Sequence, residues 1–225
     1  MAKATGFWGI DIGQCALKAI RLELIDGQPT ATAYDYIEHP KILSQPDADP
    51  DQLTREALEK FLDRNPLKKD QVAVSIPGQS GLARFVKLPP VEEKKIPEIV
   101  KFEAKQQIPF PLDEVVWDYQ KIAGGESVGG FAMETEVGLF AMKRDVISRF
   151  LSHYQSVKAD VHIVQMAPLA LCNFATYELL RKGGLGGVEG DAVALAEGEI
   201  DDTPRGKKRC AVVLDIGTDN SNLVI

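Results

Sequence analysis

The stretch Gly9-Ile10-Asp11-Ile12-Gly13-Gln14-Cys15 ends an apolar run with an Asp-x-Gly turn, and Val212-Val213-Leu214-Asp215-Ile216-Gly217-Thr218-Asp219 ends a second run in the same way. Each copy predicts a strand, a tight turn and a returning strand. Glycine in such a turn allows positive φ and lets a ligand approach the backbone, and successive N–H groups there can form an anion-binding concavity. The repetition therefore indicates a duplicated phosphate-binding turn.

Charged side chains beside the turns suit a phosphate ligand. Asp11 and Asp215 cannot bind phosphate themselves, but each can hold, through water, the Mg²⁺ that neutralises it. Lys18, on the strand returning from the first turn, can place a compact positive charge in the same cleft. For either copy alone, the alternative is a plain β-hairpin turn, in which Asp and Gly are expected.

Composition excludes several classes of protein. The 225 residues are 44% hydrophobic and 26% charged, which is ordinary for a globular protein. The net charge of −7 argues against nucleic acid as a partner. Three distant cysteines, Cys15, Cys172 and Cys210, argue against a disulfide framework or a zinc site and suit a reducing cytoplasm. No signal peptide is expected, and no apolar run approaches the roughly 18–20 residues that span a bilayer.

Hydrophobic periodicity divides the chain into a meander, an insert and a long helix. The predicted elements of the first part are strands Phe7–Ile12, Ala16–Ile25 and 30–37, a helix capped by Asp49 and ended by Asn65-Pro66, and a fully buried strand 72–76. Those of the α+β insert are strand 82–88, helix Ile96–Gln107, strands 115–122 and 135–142 around a flexible glycine-rich turn (124–130), helix 145–154 and strand 161–164. After a helix from Pro168 to Leu180, residues 183–209 are predicted to form a mobile loop with an accessory strand at 192–196.

The turns, the order strand-strand-strand-helix-strand and the insert together resemble the actin-like ATPase superfamily, in which paired phosphate loops hold ATP and Mg²⁺. An insert after Ile76-Pro77-Gly78 is similar to the FtsA and PilM families of that superfamily. Most specific is the stretch 102–119, which resembles the PilM pattern: a helix containing Glu103-Ala104, then Ile108-Pro109-Phe110-Pro111, an acidic turn and a strand with Asp118-Tyr119. Pro168-Leu169-Ala170-Leu171 is similar to the helix that follows the insert in this family.

The resemblance implies an α/β fold: an actin-like (ribonuclease H-like) domain with an inserted α+β subdomain. Residues 1–80 and 165–209 then form the first actin-like subdomain, 81–164 the insert, and 210–225 the first strands of a second actin-like domain. Because adenosine lies mainly against the second domain in this superfamily, we expect this chain alone to bind ATP weakly or not at all.

The resemblance also implies ATP and Mg²⁺ as cofactors and assigns residues to them. The first loop supplies Asp11, Gly13, Gln14 and Lys18, the second supplies Asp215, Gly217 and Thr218, and Asp11 and Asp215 hold Mg²⁺ through water. Gln14-Cys15 replaces a small hydroxyl residue, which preserves backbone contacts only. Ala167 replaces a water-orienting Glu, which leaves Gln165 as the candidate catalytic residue or as a buried strand-end glutamine. These departures preserve ATP binding and argue against hydrolysis.

A cytoplasmic adaptor, peripheral to the inner membrane, is the role that the resemblance implies. Such a protein docks the cytoplasmic tail of a PilN-like membrane protein between its first subdomain and the insert, and couples it to the pilus motors and platform; its contact with the membrane is indirect. The candidate peptide residues are Phe85, Ile108, Phe110 and Val115, with core packing as the alternative for each.

Three other functions stay open within the same superfamily. The chain could be an FtsA-like cell-division tether or a type II secretion platform component. A sugar or acetate kinase is disfavoured because the Gly-Gly-Thr after the first Asp-x-Gly and a catalytic Asp near a sugar pocket are not evident.

Overall fold

The computed structural model describes residues 6–123, 126–128, 131–133, 135–180 and 211–225. The predicted meander is present as strands β1 (Phe7–Ile12), β2 (Ala16–Ile25) and β3 (Gln28–Glu38), followed by helix α1 (Pro50–Arg64) and strand β4 (Gln71–Ile76). Asp49 caps α1 as expected, because its side chain accepts a hydrogen bond from the Gln52 N–H at 3.1 Å. Asn65 ends the helix.

The insert contains more strands than its sequence predicts. Its elements are β5 (Gly81–Lys87), β6 (Val91–Glu92), α2 (Ile96–Gln107), β7 (Val115–Ala123), β8 (Glu126–Val128), β9 (Phe131–Met133), β10 (Glu136–Lys143) and α3 (Arg144–Ser156). Strands β6, β8 and β9 pair into a small sheet, and β8 falls within the predicted flexible turn 124–130. The glycines of that predicted turn lie outside the described residues.

The described chain closes with β11 (Ile163–Met166), α4 (Ala167–Phe174), wider π-type turns at Ala175–Leu180, and strands β12 (Val213–Ile216) and β13 (Ser221–Val224). The strand predicted at 161–164 is displaced, because parallel pairing with β4 fixes its position. The predicted loop 183–209 and its accessory strand lie outside the described residues.

Two compact units result: Met1–Ile76 with His153–Ile225, and Pro77–Ser152. The second unit is shorter than the predicted insert 81–164 at its C-terminal end. Strand β11, whose first two residues fall within 81–164, pairs with β4 and so belongs to the sheet of the first unit.

The first unit is built on a five-stranded sheet of order β11-β4-β1-β2-β3. β1, β2 and β3 are antiparallel neighbours, whereas β4 and β11 run parallel to β1. One face packs against α1, where the rings of Trp8 and Phe61 meet edge to face at 5.1 Å. In β4, Val72, Val74 and Ile76 are buried but the alternate residues are half-buried, so the prediction of burial on both faces is wrong. The reason is that the second face opens onto a cavity.

The insert has its own core, between α2 and one face of the antiparallel sheet β5-β10-β7. This core includes Val100, Ala104, Val137 and Leu139. The other face of that sheet leaves Phe85 64% exposed.

Within the described residues, no helix is both long and apolar enough to cross a membrane.

Candidate functional site

The two Asp-x-Gly turns have the same hydrogen-bonded design. In the first hairpin Asp11 pairs with Lys18 across β1 and β2, and the Gly13 N–H donates to the Ala16 carbonyl at 3.0 Å. In the second hairpin Asp215 pairs with Asn222 across β12 and β13. The strand, turn and returning strand predicted for both copies are therefore confirmed.

The second turn is closed by the same bond, since the Gly217 N–H donates to the Asn220 carbonyl at 2.9 Å. Positive φ, which was predicted as a reason for glycine in these turns, does not occur at Gly13 or Gly217. Among the described residues, Gly27 is the only glycine with positive φ. A Cβ on Gly217 would lie 2.8 Å from the Asn220 carbonyl oxygen, and a Cβ on Gly13 would lie 3.3 Å from that of Ala16. The close carbonyl therefore excludes a side chain at position 217 and leaves little room for one at position 13.

Four polar side chains form a row across adjacent strands, at the carboxyl ends of β11, β4 and β1 and the amino end of β2. We call Gln165, Ser75, Asp11 and Lys18 the polar row. Gln165 on β11 is in register with Ser75 on β4. The Ser75 hydroxyl donates to Asp11 Oδ1 on β1 at 2.8 Å. Lys18 on β2 faces Asp11 with its Nζ 3.8 Å from Oδ2. Ligands of open α/β sheets bind at this end of the strands.

The polar row lines a cavity of about 360 Å³ in the first unit. Its apolar walls include Gly9, Ile20, Ala73 and Ala170. This volume lies within the range of small-molecule sites. An apolar cavity with a few convergent polar groups is the arrangement that such sites share.

The residues of the row fit a hydrated Mg²⁺ carrying phosphate. The side chains of Asp11 and Lys18 are 50% and 61% exposed, so both can reach a ligand. Among the described residues no group of three or more His, Cys, Asp or Glu could hold a metal alone, but Mg²⁺ commonly uses one or two carboxylates together with water and phosphate. A Cβ on Gly13 would come within 3.7 Å of Lys18 Nζ and 3.9 Å of Asp11 Oδ2, so glycine keeps the space beside this pair open.

Main-chain hydrogen bonds from the segment that follows β3 hold the first turn in position. The N–H groups of Leu43 and His39 donate to the carbonyls of Gln14 and Cys15 at 2.9 and 2.8 Å. The side-chain oxygen of Gln14 is buried. A contact between that oxygen and a nucleotide would require Gln14 to turn outward, so main-chain contact is the role that its position favours.

The two turns meet directly. Cys15 Sγ lies 3.1 Å from Thr218 Oγ1. Thr218, Gly217 and Asp215 do not line the cavity of the polar row. The Asp215 carboxylate accepts a hydrogen bond from Asn222 Nδ2 at 2.9 Å, so an amide stands where the first hairpin has the ammonium group of Lys18.

Gln165, the predicted catalytic residue, reaches the cavity but is partly engaged. Its side-chain oxygen accepts a hydrogen bond from the Met166 N–H at 3.1 Å. This bond fixes the amide at the end of β11. Orientation of an attacking water would depend on the remaining lone pair of that oxygen and on the amide nitrogen.

The four predicted peptide residues do not share one surface. Ile108 and Val115 are 4% and 1% exposed and belong to the core of the insert. Phe85 and Phe110 are 64% and 37% exposed. Lys143 places its Nζ 4.2 Å from the centre of the Phe110 ring, an attractive cation–π distance. Only Phe85 and Phe110 are placed to contact a peptide without opening the core.

A surface that the sequence did not reveal surrounds Phe85; we call Phe85, Phe140 and Ile122 the apolar patch. The rings of Phe85 and Phe140 pack edge to face at 6.5 Å. A Cβ on Gly138 would lie 2.9 Å from Phe140 Cζ and 3.3 Å from Ile122 Cδ1, so the absence of a side chain there leaves room for the ring of Phe140, two residues along the same strand. A glycine inside an apolar strand is the sequence signal that could have pointed to this close packing.

His39, which is hydrogen-bonded to the first turn through its main chain, is expected to make the free energy of unfolding decrease at acidic pH. Burial lowers the pKa of His39; the main chain of Gly13 opposes this shift and Lys60 reinforces it. As pH falls through the ordinary value of about 6.5, the unfolded chain binds a proton that the folded chain does not, so the free energy of unfolding decreases. His39→Gln should show a smaller decrease between pH 7 and 5 in urea titrations. If the free energy of unfolding fell equally with pH in both proteins between pH 7 and 5, the expectation would be contradicted. Between pH 8 and 7 it should change equally with pH in both proteins.

Comparison with known proteins agrees with this geometry. Residues 9–197 match the family model described as "Type IV pilus assembly protein PilM". A solved structure described as "PilM-PilN type IV pilus biogenesis complex" is 22% identical, with a TM-score of 0.67 over 96% of this chain and 56% of that chain. The chain thus spans little more than half the length of that relative. No curated protein sequence matches significantly.

Two other solved structures are less similar. The cytoplasmic domain of EpsL, an inner-membrane component of the type II secretion system of Vibrio cholerae, is 12% identical with a TM-score of 0.46, over 73% of this chain and 58% of that one. A Bacteroides thetaiotaomicron protein with an actin-like ATPase fold is 13% identical with a TM-score of 0.34, over 79% and 58%. The predicted fold class, an actin-like α/β domain carrying an α+β insert, is confirmed.

Proposed function

Since the chain belongs to the PilM family of type IV pilus assembly proteins, we propose that it acts as a cytoplasmic adaptor, peripheral to the inner membrane, that binds ATP with Mg²⁺ and docks the cytoplasmic tail of a PilN-like protein. The observation that carries the nucleotide half is the pair of hairpins with equal register and equal closing bonds. The apolar patch on the insert carries the docking half.

In the nucleotide site, Asp11 and Lys18 have distinct tasks. Asp11 holds the water shell of Mg²⁺ through its exposed carboxylate oxygen, and Lys18 neutralises phosphate as a mobile point charge. When bound, Mg²⁺ supplies the positive charge that offsets the phosphate oxygens. The main chain at Gly13 would lie nearest the phosphates, because glycine keeps the space beside Asp11 and Lys18 open.

Hydrolysis is not part of this proposal. Ala167 offers no carboxylate at the start of α4, and the Gln165 oxygen is engaged by the Met166 N–H. The nucleotide then serves as a structural or switching ligand. A direct test is calorimetric titration with ATP, in Mg²⁺ and in EDTA, of the intact protein with both of the actin-like domains that the resemblance implies. Micromolar binding that requires Mg²⁺ is expected, and absence of binding in both conditions would refute the nucleotide half.

The docking half is supported by the exposed face of the insert. Phe85 is exposed beside Phe140 and Ile122, and β5 lies at the edge of its sheet. An extended peptide can gain affinity from main-chain bonding to such an edge and specificity from apolar pockets for its alternate side chains. The PilN partner named for the similar complex makes a PilN-like cytoplasmic peptide the occupant that we propose.

The docking half is tested by titrating the intact protein with a synthetic peptide of the cytoplasmic tail of the PilN-like protein from the same organism. Micromolar binding is expected, with a scrambled peptide of equal composition as the control. If both peptides give no heat and no change in the fluorescence of an attached dye, docking of this tail is excluded. Binding to pilus motor and platform proteins, the final part of the proposed role, should be measured by co-purification with the intact complex.

A further inference from the structure

Ser75 stands out because its hydroxyl binds the one carboxylate of the polar row. It lies on β4, where it is half-buried between two buried apolar residues, Val74 and Ile76. Its Oγ donates to Asp11 Oδ1 at 2.8 Å, and this bond is partly shielded from water. Hydrogen bonds to a charged acceptor are stronger than those between neutral groups. Asp11 is therefore held from the β4 side.

The opposite side of Asp11 faces a competing partner. Lys18 is directly across the β1–β2 pair, with its Nζ 3.8 Å from Asp11 Oδ2, at the outer limit of an ion pair. Both side chains are at least half exposed, so without a restraint on Asp11 the two groups could approach each other more closely. A close Asp11–Lys18 pair would occupy the carboxylate oxygen and the ammonium group that a Mg²⁺–phosphate ligand needs.

We propose that Ser75 is a positioning residue for Mg²⁺-dependent nucleotide binding: by holding Asp11 Oδ1 it keeps Oδ2 available to the hydrated metal and keeps Lys18 available to phosphate. This inference rests on the proposed nucleotide site and adds to it a residue outside the two turns. It acts through Asp11 and does not itself contact the ligand. Loss of a partner that orients a metal-binding group commonly weakens metal binding by tenfold to a hundredfold.

The test compares ATP affinity in Mg²⁺ with ATP affinity in EDTA, for the intact protein and its variants. Ser75→Ala should reduce the ratio of the two affinities by about tenfold. Ser75→Thr keeps a hydroxyl on a strand-favouring residue and should restore the ratio, whereas Ser75→Cys, a weaker donor, should give an intermediate value. Ser156→Ala is the matched control, because that hydroxyl donates to the His153 main chain at 2.7 Å and should leave the ratio unchanged.

A second readout uses Mn²⁺ in place of Mg²⁺. Electron paramagnetic resonance should show that Ser75→Ala with ATP binds Mn²⁺ about tenfold more weakly than the unchanged protein. Thermal unfolding without nucleotide establishes that each variant is folded, and the Cys and Thr variants retain the test if Ser75→Ala does not fold. A purely structural role would alter the affinities in Mg²⁺ and in EDTA together.

The outcomes separate this inference from the proposed function. If the unchanged protein binds ATP without any requirement for Mg²⁺, or does not bind it, the metal role of the row fails and the inference fails with it. If the unchanged protein requires Mg²⁺ but Ser75→Ala keeps the same ratio, the positioning role alone is overturned. Failure of Ser75→Thr to restore the ratio would likewise overturn it, since the hydroxyl would not be the group that matters.

Discussion

Asp11→Asn is expected to weaken the binding of ATP in Mg²⁺ to the intact protein by about a hundredfold, equivalent to about 2.8 kcal/mol. The amide loses the negative charge that holds the hydrated metal, but its oxygen can still accept the Ser75 hydroxyl at the position of Oδ1. The hairpin should therefore keep its shape. In EDTA the same variant should bind ATP no more weakly than the unchanged protein, because the repulsion between carboxylate and phosphate is removed.

Calorimetry of Asp11→Asn is decisive, because ATP affinity should fall in Mg²⁺ but should not fall in EDTA. Asp26→Asn is the control, since Asp26 lies at the other end of β2 in an exposed turn and its positive φ is tolerated by Asn. That control should match the unchanged protein in both conditions. Equal weakening of Asp11→Asn in Mg²⁺ and in EDTA would mean that the carboxylate does not serve a metal.

Phe85→Glu is expected to weaken binding of the PilN-like peptide by about a hundredfold, the range of an aromatic interface hot spot. The ring is 64% exposed and packs edge to face with Phe140, so the charge would enter the apolar patch with little effect on the core. The measurement is calorimetric titration of the intact protein with the peptide. The free energy of unfolding should change little, because the core of the insert lies on the other face of the sheet.

Phe102→Glu provides a matched control for the peptide measurement. Phe102 is 61% exposed on α2, the helix that packs against the opposite face of the insert sheet. It should leave peptide affinity unchanged. If Phe102→Glu weakens binding while Phe85→Glu does not, the docking surface lies on the helix side and the apolar patch has another role.

The fold was predictable where local signals were strong. Helix Ile96–Gln107 and strands Phe7–Ile12 and Ala16–Ile25 begin and end at the predicted residues. Strands β6, β8 and β9 contain two or three residues each, too few for a periodic pattern, and they exist through pairing with one another. The placement of β11 likewise depends on its register with β4, which no local pattern contains.

The two turns of the site were predictable from the sequence, but the residues that contact them from adjacent strands were not. Asp11 and Lys18 follow from the Asp-x-Gly pattern and are brought together. Ser75 interrupts an apolar strand, and only the order of the sheet shows that its hydroxyl meets Asp11. Ile108 and Val115 stand beside a motif specific to the family, yet that motif does not reveal which residues turn inward. Family motifs identified the insert, but side-chain packing determines which of its residues are exposed.

The two hairpins have one backbone design and unequal electric fields. Lys18 in the first corresponds to Asn222 in the second, so an ammonium group lies beside one turn and a neutral amide beside the other. Equal charges at two meeting turns would attract either end of a linear polyanion alike. A single cation removes that equivalence, since the more highly charged end gains most beside Lys18. If the proposed nucleotide binds between the turns, the difference between Lys18 and Asn222 would therefore favour one direction of its phosphate chain.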